Sequence, residues 1–529
     1  MRYLLSICLS LCSLLFSCTS ITQNLTAFDN VCPSCPRVFT NFHFFIFDFR
    51  YKIIAEALRV VAVLVTAMRP LSDASEGMFD ASQSLSDPAA YVESLYSAIL
   101  PRLEAHDIDQ EIKECAIAAM GQLVATCGDL LKAQQLPTVL SLLMEKLKNE
   151  ITRMAALRSL VVIARSPLDI DLSPILASAV QELALLLRQQ SRSLKQTTLE
   201  TLTALVDSSS GSMDGTHFEL MMQEAAPLIS DSDLQLTHLS LRLTIDVVKA
   251  SPGATTKVGT TVLPAALSLS CSPLLQGRAL LTLLELLKEL VAVDAPGASF
   301  DDLYDRLRQV ITSSDLWAAS ADGGSGGGPA SSNSIQKQAV ANVGHCLAAL
   351  CVQATDEKRA ATIVELLGDI KSSNELRRHL ALLTVGELGQ HKDLTSIAGD
   401  LQGIIFQSFS STAEETKTAA AYALGSIAVG NMPAYLPPIL SALAADKNHY
   451  LLLSALKEII VLHAAKRELT ATFGSQFLEQ VLPPLFEHCQ SPEEGVRNMV
   501  AECLGALVTM HPESLVERLK VGPFFPSNR

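Results

Sequence analysis

Two pairs of residues have types and spacings that could support metal binding. Cys32 and Cys35 form a Cys-x-x-Cys pair, which is the spacing of a structural zinc site. No second pair of cysteines or histidines lies in range to complete four ligands. His345 and Cys346 are neighbours on a predicted helix, and adjacent side chains on a helix point in different directions. We therefore predict no metal site.

The other residues that could do chemistry are interpreted as structural. His106, Asp107 and Asp109 precede a predicted helix that begins near Gln110, where an aspartate can accept hydrogen bonds from free backbone N–H groups. The glycine cluster Gly323–Gly328 lacks the preceding strand and the following Lys-Ser/Thr of a phosphate-binding loop. No zinc-protease, dinucleotide-binding or serine-hydrolase motif is found. The sequence thus predicts no catalytic or cofactor-binding residue, no cofactor and no enzymatic activity.

The composition indicates a helical protein with a large apolar core. Hydrophobic residues make up 49% of the 529 residues, charged residues 18% and aromatic residues only 5%. The core volume must therefore come from Leu, Ala, Val and Ile, which suit closely packed helices better than sheets. The formal net charge is -15 and no long basic run occurs, so no direct binding of nucleic acid is expected.

Apolar residues recur at helical spacing in the body of the chain. The segment Ile108–Gly128 carries one such stripe. A basic residue also stands eight positions before a glycine in four segments. These pairs are Lys113/Gly121, Arg378/Gly386, Lys417/Gly425 and Arg497/Gly505. Since glycine inside a helix costs about 1 kcal/mol relative to alanine, its recurrence predicts that a neighbouring helix approaches closely at this position.

The same basic position repeats along the chain in steps of about 40 residues, the period of HEAT and armadillo arrays. One step, from Arg278 to Lys337, is longer and contains the Gly/Ser-rich residues 318–334, which we predict to be a disordered insertion. We predict an all-α fold of the HEAT/armadillo solenoid type, a right-handed superhelix of about ten antiparallel helix pairs over residues 51–520. The concave side of such a stack is a long binding surface. The repeat positions are Lys113, Arg153, Lys195, the neighbourhood of Thr237, Arg278, Lys337, Arg378, Lys417, the neighbourhood of Ala455 and Arg497.

Residues 1–50 and 521–529 do not follow the repeat. Residues 1–18 place one arginine before a short apolar stretch, as in a secretory signal peptide, and Asn24–Thr26 is a glycosylation sequon. Two interpretations remain open: the whole protein is secreted, or residues 1–50 are a foreign or mis-assigned start on an intracellular protein. The second is favoured because the cysteines of the body are scattered on apolar helical faces, as expected in a reducing compartment. It predicts a location in cytoplasm and nucleus, and no membrane span is expected in the repeat body.

Several extended segments carry a family resemblance. They closely resemble the cullin-associated, neddylation-dissociated family, also known as TATA-binding-protein-interacting proteins, over about residues 51–520. The clearest segments are DIDQEIKECAIAAMGQL, LKNEITRMAALRSL, TAAAYALGSIAVGNMPAYLP and EEGVRNMVAECLG. The resemblance implies a HEAT superhelix that binds the unmodified cullin–RING scaffold of ubiquitin ligases and exchanges its substrate-receptor modules.

The resemblance is to the central portion of that family only, so it implies a truncated form. It does not identify the residues that contact a partner, because contacts in a solenoid are spread over many repeats. The alternative that remains is a generic HEAT-repeat adaptor or an importin-like transport factor.

Overall fold

The computed structural model of the chain is helical throughout the part that it describes. No β-strand occurs in these residues, so the predicted all-α class is confirmed. Residues 1–35, which include Cys32 and Cys35, lie outside this part, as do His106, Asp107 and the cluster Gly323–Gly328. The described residues are 36–71, 89–105, 109–294, 297–313, 329–397, 399–445, 449–466 and 473–521.

Twenty-two α-helices occur in the described residues. In chain order they are α1 Pro36–Met68, α2 Ala89–Glu104, α3 Gln110–Cys127, α4 Gln135–Lys148, α5 Arg153–Ala164, α6 Ser173–Leu186, α7 Arg192–Ser209, α8 Gly215–Ala225, α9 Leu234–Ala250, α10 Thr255–Ser270, α11 Gly277–Val293, α12 Phe300–Ser313, α13 Pro329–Gln353, α14 Asp356–Ile370, α15 Glu375–His391, α16 Leu401–Ser408, α17 Glu414–Gly430, α18 Met432–Ala444, α19 His449–Ala465, α20 Ser475–His488, α21 Glu494–Met510 and α22 Pro512–Val521.

Odd-numbered and even-numbered helices differ in the helices on which they pack. Odd-numbered helices pack on the next odd-numbered helix, from α1 to α7 and again from α11 to α21, and we call each series an odd row. Several even-numbered helices pack mainly against the odd-numbered helix that follows them and form a pair with it, as α4 does with α5 and α20 with α21. Stacking the pairs buries apolar faces that a single pair would leave exposed.

The helices are grouped into two compact units. The first contains the described residues up to 228 together with 242–258, and the second contains 229–241 together with those from 259 onward. The core of each is built from Leu, Ala, Val and Ile, as expected from the composition. No helix in the described part of the chain is both long and apolar enough to span a bilayer.

The structure corrects two boundaries that were predicted from composition. Helix α1 runs continuously from Pro36 to Met68, across the predicted boundary between residues 50 and 51. Residues 37–68 contain neither proline nor glycine, so nothing in the backbone ends the helix where the composition changes. The predicted insertion 318–334 is also too long, since α13 begins at Pro329, where a missing N–H is tolerated in a first helical turn.

Candidate protein-binding surface

The recurring basic position proves to have a structural role. The guanidinium of Arg378 donates to the backbone carbonyl of Ser372 at 2.7 Å, in the turn between α14 and α15. Arg497 donates to the carbonyl of Ser491 at 2.8 Å in the turn before α21. Arg153 donates to the carbonyls at the end of α4. At these three positions, the arginine therefore satisfies carbonyl groups left free at the end of the preceding helix.

A hydroxyl performs the same task where the basic residue is missing. Thr237 donates to the carbonyl of Ser230 at 2.6 Å and accepts from the N–H of the same residue at 2.9 Å. Asp233 accepts from two N–H groups of the first turn of α9. Asp109 accepts from the N–H of Glu111 at 2.8 Å, as predicted for the start of α3. These residues fix the turns that precede odd-numbered helices and are not candidates for partner contact.

The recurring glycine permits close packing along the odd rows. A Cβ at Gly121 would lie 2.6 Å from the Cβ of Ser159, and one at Gly386 would lie 2.8 Å from the Cα of Ala423. A Cβ at Gly425 would lie 2.5 Å from the carbonyl oxygen of a residue in α19. The predicted close approach is confirmed at these three positions. It is wrong at Gly505, where a Cβ would meet no atom of the described residues within 4 Å.

Polar side chains from three consecutive helices of the second odd row converge on Glu387 of α15. The hydroxyl of Tyr422 donates to its Oε2 at 2.8 Å, and the amide of Gln390 donates to the same oxygen at 2.9 Å. Nδ1 of His345, on α13, lies 3.3 Å from this oxygen, and Nε2 of His391 lies 3.9 Å from Oε1. The side chain of Glu387 is only 15% exposed. We call these five residues the Glu387 network.

The network holds its carboxylate in the ionised form. Burial alone would raise the pKa of Glu387, but hydrogen bonds and the charge of His345, with the hydroxyl of Tyr422, lower this pKa to about 2. Burial also raises the pKa of Glu458, on α19, and the charge of Glu387 raises it further. The odd row therefore presents a partly buried, hydrogen-bonded acidic centre, an arrangement suited to recognising polar groups of another protein.

The residues singled out for chemistry are not brought together. His345 joins the Glu387 network, whereas the adjacent Cys346 is fully buried and burial raises the pKa of its thiol. Within the described ranges, no three His, Cys, Asp or Glu residues are placed to hold a metal ion. Sequence reasoning missed Glu387 and Tyr422. Their signal was available, because each lies within three positions of a recurring glycine, where a neighbouring helix is expected to approach closely.

Comparison with known proteins identifies relatives over most of the chain. A family model described as "CAND1-like, TPR repeats" matches residues 16–120, and a HEAT repeat model matches residues 481–511. The first match includes residues 16–50, which the sequence analysis placed outside the family. The Cullin-associated NEDD8-dissociated protein 1 of Arabidopsis thaliana is 41% identical over 90% of this chain and 37% of its own length. The protein of the same name from Drosophila melanogaster is 37% identical, again over 90% of this chain and 37% of its own length.

The second protein of that name gives a similar result. Cullin-associated NEDD8-dissociated protein 2 of Mus musculus is 34% identical over 89% of this chain and 36% of its own length. The chain thus spans little more than a third of the length of the curated relatives it matches. Among solved structures, Kap121p bound to Ste12p superposes with a TM-score of 0.52 at 15% identity, over 88% of this chain and 46% of that chain. With the HEAT repeat match, this likeness confirms the predicted HEAT-type α-solenoid fold.

Proposed function

Since this chain belongs, as a partial member, to the family of cullin-associated NEDD8-dissociated proteins, we propose that it is a protein-binding scaffold that regulates the assembly of cullin–RING ubiquitin ligases. Its partner is the cullin that carries no NEDD8, as the name of its relatives suggests. The observation that carries this proposal is the 41% identity that extends over 484 residues, rather than over one short motif.

The proposed contact surface is the odd row of the second unit. Glu458 is half-buried on this row, and its carboxylate forms no ion pair within the described residues. Burial and the neighbouring Glu387 raise the pKa of Glu458, so its ionised form is destabilised. A cationic group of a partner placed next to it would stabilise this ionised form. A partner that binds here gains a charge pair in a partly desolvated place, where such pairs contribute more than on an open surface.

We further propose that this scaffold catalyses no reaction and does not bind nucleic acid directly. The net charge of -15 disfavours contact with phosphate backbones. The buried cysteines, which include Cys346 and Cys351, have thiols whose pKa is raised by burial, and thiols of this kind suit a reducing compartment. We therefore propose a location in cytoplasm and nucleus, with the secretory pathway as the alternative if residues 1–18 act as a signal peptide.

Binding to purified cullin–RING complexes tests the proposal directly. The tagged chain is immobilised and offered the same cullin with and without covalently attached NEDD8. We expect retention of the unmodified form only. The variant Glu458→Lys should weaken retention, whereas Glu357→Lys, the same change of charge at an exposed position of α14, should leave it unchanged. Equal recovery of both cullin forms, or recovery of neither, would instead favour a generic HEAT-repeat adaptor or an importin-like transport factor.

A further inference from the structure

A pocket of about 310 Å³ lies in the second unit, between α12, α13, α14 and α15. Its floor is apolar and buried, because the leucines that line it are at most 7% exposed. The pocket shares no residue with the Glu387 network. These lining leucines are Leu347, Leu366, Leu376 and Leu380.

One wall of the pocket is held in place by Arg308 of α12. Its guanidinium donates to Oδ2 of Asp369 at 2.7 Å and to the hydroxyl of Tyr304 at 3.1 Å, and it also forms an ion pair with Glu365. These contacts join α12 to α14 across the pocket wall. Arg308 is thereby committed to carboxylates of its own chain, so its charge is not the recognition element of the pocket.

Two other charged residues at the rim are exposed and carry opposite signs. Arg377 lies on the first turn of α15 and Asp305 lies on α12, and both line the pocket. Neither side chain forms a hydrogen bond or an ion pair in the part of the chain that the structure describes. Among the described residues, the pocket therefore combines an apolar floor with an unpaired cation, Arg377, and an unpaired anion, Asp305, at its mouth.

The volume restricts what can enter. Pockets for whole small-molecule ligands cover roughly 300–1,000 Å³, so this one is at the lower limit. A single large apolar side chain anchored in a buried pocket, with polar contacts around it, is the usual centre of a protein–protein contact. The leucine floor fits the apolar body of a Leu, Phe or Trp side chain. Arg308 and Asp369 of the lining bind each other, so Arg377 and Asp305 are the charged groups left for the polar atoms of a bound peptide.

We propose that this pocket binds a peptide segment of a partner protein that inserts one large apolar side chain between the leucines. An acidic residue on one side of this anchor pairs with Arg377, and a basic residue on the other side pairs with Asp305. The proposal does not depend on the identity of the main partner, because none of the residues that line the pocket belongs to the Glu387 network.

Selection from a random peptide library displayed on phage tests this inference on the full chain. We expect enriched peptides to carry one Leu, Phe or Trp between an acidic and a basic residue. Synthetic copies should lose about tenfold in affinity for Arg377→Glu, equivalent to roughly 1.4 kcal/mol. The affinity should return when the acidic residue of the peptide is replaced by lysine. Replacement of the anchor by alanine should abolish binding.

Because Arg377 and Asp305 are exposed, their variants should remain folded, and far-UV circular dichroism of each variant checks this. Arg158→Glu, on an exposed position of α5 in the other unit, is the matched control and should bind the peptides as the parent does. The inference is overturned if no peptide is enriched, or if enriched peptides bind the double variant Arg377→Glu/Asp305→Lys undiminished. Loss of cullin binding in either variant is not required, so this result is separable from the test of the proposed function.

Discussion

Replacing Asp246 by asparagine should stabilise the protein at neutral pH. Asp246 lies on α9 with its side chain only 4% exposed. Its Oδ1 is 3.3 Å from the guanidinium of Arg242, and its Oδ2 has no hydrogen-bond partner in the described residues. A buried carboxylate with an unsatisfied oxygen is unfavourable when ionised, and one nearby cation on a half-exposed side chain compensates for this only in part.

The magnitude follows from the pKa. Burial raises the pKa of Asp246 from 3.8 to about 6, against the opposing charge of Arg242 and with a further contribution from Asp207. The folded state therefore holds this proton more tightly than the unfolded state does. Stability from this group is present at low pH and is lost as the pH rises through about 6. At about 1.4 kcal/mol per pKa unit, the loss is about 3 kcal/mol, which Asp246→Asn should recover.

Urea unfolding followed by far-UV circular dichroism measures the effect between about pH 4 and pH 8. We expect the variant and the parent to coincide at the acidic end and to separate as the pH rises. The exposed residue Asp207 provides a control for the cause, since Asp207→Asn should give a smaller gain over the same range by lowering the pKa of Asp246. The reasoning is refuted if Asp246→Asn is no more stable than the parent at pH 8, or if its advantage is independent of pH.

Three further substitutions test the odd row of the second unit. Glu387→Gln should destabilise the protein by about 3 kcal/mol at neutral pH, because the pKa of Glu387 is lowered from 4.5 to about 2 in the folded state. The ionised carboxylate contributes this stability above pH 4.5, and the contribution is lost as the pH falls through about 2. Urea unfolding at neutral pH checks this, and an unchanged midpoint contradicts it. Gly425→Ala should destabilise by about 1–3 kcal/mol through overpacking against α19, whereas Gly505→Ala should be neutral or stabilise by up to about 1 kcal/mol. Equal thermal shifts for the two alanine variants would show that the glycine position has no packing role.

The helices and their repeating order could be predicted from the sequence because the signals that specify them are local. The apolar stripe of α3 and the cap at Asp109 depend on residues a few positions apart. The recurring step of about 40 residues corresponds to the length of one helix pair. Composition was a poorer guide to the ends of elements. It placed boundaries inside α1 and inside α13, since a change in residue type does not end a helix unless a residue breaks its backbone pattern.

The contacts that make the candidate sites could not be read in this way. Glu387 and Tyr422 are 35 positions apart and meet only because α15 and α17 pack along the same row. The sequence showed the basic residue at Arg378 but not the carbonyl it satisfies, and it gave no sign that Asp246 is buried beside Asp207. Sequence periodicity determines which face of each helix is apolar, whereas the rotation and spacing of neighbouring helices decide which polar groups lose water and which find a partner.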